Sequence, residues 1–311
     1  LENLMKITVF GAGGFLGSAI TRHLADKGHA VSGFVRSDSA AARARAAGAE
    51  VVRGDLADIA STVAAVDGAQ AVVFAAQLLM EPERTAVRAL LDSLAGTGAV
   101  FLFTSGTGVL SQRTDGDWSE DTFAEADQFT PSKYIGARVD TENEVLGFAD
   151  RGVRTAIVRP GMIWGHGGCP MIREFYRGAI ERGFVGYLGA GLNLYSNVHV
   201  DDVASLYGMI VDDDQASGIY HAVSGETSYR TLARAVADDI GVPCQSIDLS
   251  QAIDIWGKTT AIIYFSVCSR ARAHRSRTEL GWQPDATRLD ILTDIGHREY
   301  RTVLPRVEST R

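Results

Sequence analysis

The stretch "ITVFGAGGFLG", residues 7–17, sets an apolar run against three spaced glycines and then resumes with helix-forming residues. Its spacing puts Gly11, Gly14 and Gly17 between a strand and a helix, with Phe15 and Leu16 opening the helix. Glycines there permit a tight turn, let the backbone approach a pyrophosphate and let the helix pack closely on the sheet. The helix start adds unpaired N–H groups and the positive end of its dipole. Spaced glycines alone carry little information, but between this strand and this helix they predict a dinucleotide site.

Working outward, apolar strands alternate with helical spacings. "KITVF" (6–10), "AVSGFV", "EVVRG", "AQAVVFAA", "AVFLFTS" (99–105) and "VRTAIVRP" read as strands. Between them, residues 15–28, "SAAARARAAG", 59–66, 83–94 and 132–149 read as helices. Short apolar strands separated by helices predict an α/β chain, a Rossmann-type doubly wound parallel sheet over residues 5–160. From residue 161 to 311 the pattern loosens into a smaller C-terminal substrate lobe, with some segments returning to the core. There "GMIWGHGGCPM" reads as a loop, "GIYHAVSG" as a strand, Ser228 as a helix cap and residues 289–300 as a final helix.

Of 311 residues, 46% are hydrophobic and 22% charged, the balance of a folded, water-soluble domain. Thirty Lys plus Arg against 38 Asp plus Glu give a net charge of -8, which supplies no broad positive field for nucleic acid. Cys169, Cys244 and Cys268 are few and scattered, with neither metal-ligand spacing nor a disulfide framework, so they are expected to be reduced. A cytoplasmic protein with no signal peptide, no membrane span and no metal is the expectation. Residues 1–4, which precede Met5, are left out of the fold reading.

The second strand ends in "RSDS", presenting Arg36 and Ser37 before any acid. An acid at this place suits a free ribose hydroxyl, whereas an arginine pairs with a 2'-phosphate, so NADP is expected ahead of NAD. Asp55 either accepts a hydrogen bond from the adenine amine, with Leu56 covering the ring, or caps the short helix that follows.

The ordered set of Gly11, Gly14 and Gly17, Asp55-Leu56, Ala75-Ala76, "FTSGTGVL", "SKYIGARVDTE" (132–142), Arg159-Pro160-Gly161, "VHVDDVA" and "ELGWQP" resembles the extended short-chain dehydrogenase/reductase family over essentially the whole chain. That family includes sugar epimerases, dehydratases and carbonyl reductases. The resemblance implies that Ser105 or Thr107 orients a substrate oxygen, that Tyr134 passes its proton, and that Arg138 stands where the family has a lysine. Glu142 supports that register. It also implies cofactor contacts at Ala75, Ala76, Thr104, Pro160, Gly161, Met162 and Ile163. A homodimer formed through helices 83–94 and 132–149 is implied as well.

Arginine at 138 retains a fixed cation that favours a tyrosinate and offers donors to ribose hydroxyls. It cannot relay a proton, because it stays protonated. Gln77, Trp164 and His166 are candidate substrate contacts, His166 being either a second acid-base or a surface histidine. His199 is expected to pack at the lobe junction, with Asp201 capping the next helix. No spacing brings His166, His199 and His221 together with an acid. Trp256, Tyr264 and Phe265 either line an apolar pocket or pack the lobe or an oligomer contact, and Arg270, Arg272, Arg275 and Arg277 read as surface residues.

Together these features predict NADPH-dependent reduction of a ketone or aldehyde on an apolar or aromatic small molecule. Two alternatives are an NAD(P)-dependent epimerase/dehydratase or non-redox isomerase or cyclase, drawing on Glu120, Asp121 or His166, and a catalytically silent dinucleotide-binding sensor or scaffold.

Overall fold

The computed structural model describes residues 4–78, 81–132 and 135–302. Its first half runs β1 (Lys6–Phe10), α1 (Phe15–Asp26), β2 (Ala30–Val35), α2 (Asp38–Ala46), β3 (Glu50–Arg53), α3 (Ile59–Ala64), β4 (Ala71–Phe74), α4 (Glu81–Leu94), β5 (Val100–Thr104), β6 (Gln112–Arg113), α5 (Gly136–Gly147) and β7 (Arg154–Pro160). The second half adds β8 (Met162–Trp164), α6 (Pro170–Arg182), β9 (Val185–Leu188), β10 (Leu194–His199), α7 (Val200–Asp212), β11 (Gly218–Ala222) and β12 (Gly225–Ser228). After them come α8 (Tyr229–Ile240), β13 (Cys244–Ile247), α9 (Leu249–Trp256), α10 (Lys258–Thr260), β14 (Val267–Cys268), α11 (His274–Thr278) and α12 (Arg298–Arg301).

The main sheet is seven-stranded and parallel, in the order β11-β7-β5-β4-β1-β2-β3. The order reverses between β1 and β4, and a ligand crevice belongs outside the carboxyl ends of the strands at that switch. Alternate residues feed opposite faces. Ile7 and Val9 join Ile20, Leu24, Leu206 and Tyr207 on one side, while Phe10, Phe74, Phe101 and Phe103 pack with Leu90 and Leu91 on the other. Both faces are covered, which is why these strands are nearly continuous apolar runs.

The lobe has its own core around Phe175, Tyr176, Tyr229, Val236, Trp256 and Phe265. Two features differ from the sequence reading, and β11 meets the expectation that some segments return to the core. The glycine-rich segment after Pro160 contains strand β8, which pairs in parallel with β10 in a register no local pattern reveals. Strand β11 belongs to the main sheet, beside β7. The expected helix over 289–300 is instead a 3-10 turn at Ile291–Asp294 and the short α12, broken by Gly296 at φ +82. Ser228 caps α8 as expected, accepting from the Thr231 amide at 3.2 Å. Among the described residues, no helix is long and apolar enough to cross a membrane. The three cysteines are free.

Candidate functional site

Turn 11–14 closes with the Gly14 amide donating to the Gly11 carbonyl at 2.8 Å. Gly11 has φ +86, and a Cβ there would lie 2.7 Å from the Ala75 carbonyl oxygen. At Gly17 a Cβ would stand 2.0 Å from the Gly11 oxygen, so helix and turn touch backbone to backbone. Among the described residues no side chain caps α1, which leaves its first N–H groups without intrahelical partners. The cradle therefore fits a dinucleotide pyrophosphate. Phe15 and Leu16 pack on the core below, and the Phe15 ring also fills the space beside Gly168.

Around the adenosine end, Arg36 lies 3.6 Å from Asp55, both exposed. Asp55 also accepts from the Ala57 amide at 3.0 Å, so its carboxylate is occupied by the local turn and by Arg36. Leu56 is half-buried against the sheet. Ser37 caps α2, accepting from the Ala40 amide at 3.2 Å, and Asp38 pairs with Arg53. Arg43 was not anticipated: its Nε donates to the Gly13 carbonyl at 2.6 Å, tying α2 to the glycine turn. In sequence it is one of several arginines in an Ala-rich helix, and nothing distinguishes it.

At the end of β5, the Ser105 and Thr107 hydroxyls are buried and have no hydrogen-bond partner among the described residues. Buried hydroxyls are ordinarily paired, so both fit a substrate or cofactor oxygen. Thr104 is differently engaged, its hydroxyl 2.6 Å from the Tyr207 phenol. Tyr195, on β10 beside Gly108, was also missed; burial pushes its phenol up to about 12, keeping it neutral. Across the crevice, a Cβ at Gly161 would lie 2.3 Å from the Ser196 carbonyl oxygen. Pro160 ends β7, Met162 turns into the lobe core and Ile163 packs toward the main core. Ala75 and Ala76 are half-buried at the end of β4, and Gln77 is exposed.

Tyr134 and Lys133 lie outside the described residues, and the helix that follows, α5, carries Arg138 and Glu142. Arg138 donates from Nη2 to Glu83 Oε2 at 2.7 Å and from Nη1 to the Thr104 carbonyl at 3.2 Å. Burial pushes the Glu83 carboxyl up, and Arg138 pulls it back down. One turn on, Glu142 receives both prongs of the buried Arg159 guanidinium, at 3.0 and 2.5 Å. Two charges four residues apart on one face thus clamp α5 to α4 and to β7. Glu83 escaped notice because an acid in a helix's first turn is unremarkable in a sequence.

In the lobe, Trp164 is buried, donating from its indole to Asn197 at 3.1 Å. Trp256 stacks on Phe265 with ring centroids 3.9 Å apart inside the lobe core, and Tyr264 packs half-buried against it, so this aromatic stretch is packing. His166, at φ +52, places Nε2 3.1 Å from Asp201. Its ring centroid is 5.2 Å from that of His199. This corrects the expectation that no histidines meet at an acid: the register of β8 beside β10 opposes Trp164 to His199 and brings the following residues together. The ligand atoms of His166, His199 and Asp201 all lie within 4.8 Å of one another. Two contacts compete with a cation there. His199 Nδ1 accepts from the Asp201 amide at 3.2 Å, and Arg288 stands 3.6 Å from the Asp201 carboxylate. His199, and not Asp201, therefore caps α7. His221 lies apart, buried, with Nδ1 3.1 Å from the Arg272 carbonyl.

Among known proteins, the family model described as NAD dependent epimerase/dehydratase family matches residues 7–223. An uncharacterized Saccharomyces cerevisiae protein is 31% identical over 303 residues, covering 94% of this chain and 98% of its own. The 2-alkyl-3-oxoalkanoate reductase of Stenotrophomonas maltophilia is 28% identical over 64% of this chain and 63% of its own. In fold, the chain is similar to the dTDP-glucose 4,6-dehydratase of Streptomyces venezuelae solved with NAD and TYD bound. The TM-score is 0.74 at 19% identity, over 96% of each chain.

Proposed function

The chain belongs to the NAD dependent epimerase/dehydratase family, and from that premise we propose that it reduces a ketone or aldehyde on a largely apolar or aromatic small molecule, with NADPH as the hydride source. The observation that carries this reading is the pair of buried hydroxyls at the carboxyl end of β5, Ser105 and Thr107, neither within hydrogen-bonding geometry of a partner among the described residues. They offer donors where a carbonyl oxygen gains charge, the group whose stabilisation governs such a reaction.

Gly11, Gly14 and Gly17 with the start of α1 hold the pyrophosphate, and Arg36 and Ser37 receive the 2'-phosphate of NADP. Bound nicotinamide supplies a hydride to the carbonyl carbon. Ser105 or Thr107 polarises the carbonyl oxygen, and Tyr134 donates its phenolic proton to that oxygen as the C–H bond forms. Arg138, anchored by Glu83, fixes the helix that carries this register. One proton per turnover is needed, and a tyrosine resupplied from solvent delivers it without a lysine relay. The relative named as a 2-alkyl-3-oxoalkanoate reductase supports carbonyl reduction.

The test is NADPH oxidation by the purified protein with a panel of ketones and aldehydes, with product analysis. Alcohol formed in step with NADPH loss supports the reading. Conversion of substrate with no net NADPH loss would instead establish the lyase or isomerase alternative, and tight dinucleotide binding with no turnover the sensor alternative.

A further inference from the structure

Beyond the hydroxyls at the end of β5 lies a cavity of about 780 Å³, formed where the end of β11 meets the segment entering α11. Ser196 and Ser224 form one side, and Arg270, Arg272 and Arg277 line the other. Hydrogen bonds tie the cavity's lining segment to the end of β5 and to β10. Ser269 Oγ donates to the Thr107 carbonyl at 2.8 Å, and the Ala271 amide donates to Ser196 Oγ at 2.9 Å. Ser196 is also the residue against which Gly161 packs.

Strand-like backbone at 269–273, followed at once by α11, turns three of the arginines toward one space, although their sequence spacing read as ordinary surface. Arg270 is already committed. Its Nε and Nη2 each reach Glu226 at 2.9 Å, and its Nη1 reaches the Ser119 and Glu120 carbonyls. Arg272 is engaged by one prong only: its Nη2 donates to Asp127 at 3.5 Å, and its side chain is 64% exposed. Arg277 has no ion pair among the described residues and only the Trp282 ring at 6.0 Å. Two guanidiniums thus keep open donors in a cavity whose lining carboxylate, Glu226, is taken by Arg270. In a chain of net charge -8, this is a local reversal of sign beside the reaction centre. The remaining walls include Ala124, Val223, Ala271 and Ala273, suited to a carbon framework, with Thr122 and His274 as further polar groups.

We propose that this cavity receives an anionic substituent of the carbonyl substrate, a carboxylate or a phosphate, held by the forked donors of Arg272 and Arg277. The proposal rests on the carbonyl-reductase reading and narrows it: the substrate is an apolar skeleton bearing a ketone or aldehyde at one end and an anion at the other. Guanidinium geometry matches both oxyanions, and charge-assisted forked donors make the stronger hydrogen bonds.

The test measures binding and requires no turnover. Methyl-ketone carboxylates of increasing chain length, the matching methyl-ketone alkyl phosphates and the neutral methyl esters are titrated into the NADP-loaded protein by calorimetry. Wild type, Arg272→Gln, Arg277→Gln and the double variant are compared. One anionic series is expected to bind at least about tenfold tighter than the esters, and each glutamine variant to remove about that factor for the anion only. The series that binds better identifies carboxylate or phosphate. Equal binding of anion and ester in wild type, or unchanged anion binding in the double variant, overturns the proposal. Thermal midpoints establish that each variant is folded, and Arg277→Lys, which keeps the charge and loses the fork, is expected to retain part of the affinity. Anion-selective binding without NADPH consumption would leave this site standing and remove the reductase reading.

Discussion

Arg138 Nη2 donates to Glu83 Oε2 at 2.7 Å, and the side chain of Glu83 is only 3% exposed. The Arg138 guanidinium is therefore committed in part to holding α4 against α5. Removing it strands a buried carboxylate, at a cost of about 3–5 kcal/mol. Arg138→Met is expected to show that loss in urea denaturation, and Arg138→Met combined with Glu83→Gln to recover part of it. If the double variant is no more stable than the single one, the two residues are not coupled in this way.

Glu142 and Arg159 make the second clamp on α5, and both side chains are almost fully buried. Arg159→Met is expected to destabilise the fold by a similar amount, about 3–5 kcal/mol. It should also lower dinucleotide affinity, because α5 and the Pro160–Gly161 turn lie on opposite sides of that pair. Dinucleotide titration of the folded variant, monitored by protein fluorescence, checks the second effect.

Burial brings both His199 and His221 down to about 4, with Arg288 and His166 adding to the effect at His199 and Arg159 at His221, against the opposing Asp201 and Glu125. In the unfolded chain an imidazole titrates near 6.5. Between about 4 and 6.5 the unfolded state binds more protons, so stability rises with pH across that window and is lost as pH falls through it. Thermal midpoints measured through this range should fall on acidification, and His221→Asn should flatten the slope. A midpoint that rises on acidification would contradict the assignment.

Under the proposed NADPH reading, cofactor choice turns on Arg36, since Asp38 is drawn to Arg53 and Asp55 is held by its own turn and by Arg36. Arg36→Ala is expected to weaken NADPH binding about tenfold while leaving NADH nearly unchanged, the loss of one charge-assisted contact. Equal weakening of both would assign Arg36 no role in discrimination. Gly17→Ala should abolish binding of both, because its Cβ would lie 2.0 Å from the Gly11 oxygen.

What the sequence made legible follows from how local the signals are. Strands β1 to β5 announce themselves by apolar runs, and the glycine turn by its place between β1 and α1. Strand β8 sits in a glycine-rich segment and finds its partner β10 some thirty residues later, so neither its existence nor the meeting of His166 with His199 could be read locally. Glu83 looked like a helix-dipole acid, and its burial depends on where α5 lies. Arg272 and Arg277 are surface residues as read, but that they line one cavity was hidden because helical spacing was assumed for a segment that begins as extended chain. At the candidate site, Ser105 or Thr107 was expected from the family resemblance, while the partners that position Arg138 are visible only in three dimensions.

The central claim is that Tyr134 protonates a carbonyl oxygen while hydride passes from NADPH to the carbonyl carbon. Its most direct test is single-turnover transfer from NADPH deuterated at C4, using a substrate found in the ketone panel, with wild type and Tyr134→Phe. The account predicts deuterium on the new carbinol carbon with wild type, and a rate lower by about a hundredfold or more with the variant at unchanged dinucleotide affinity. Undiminished transfer by Tyr134→Phe, or an alcohol without deuterium, would contradict it.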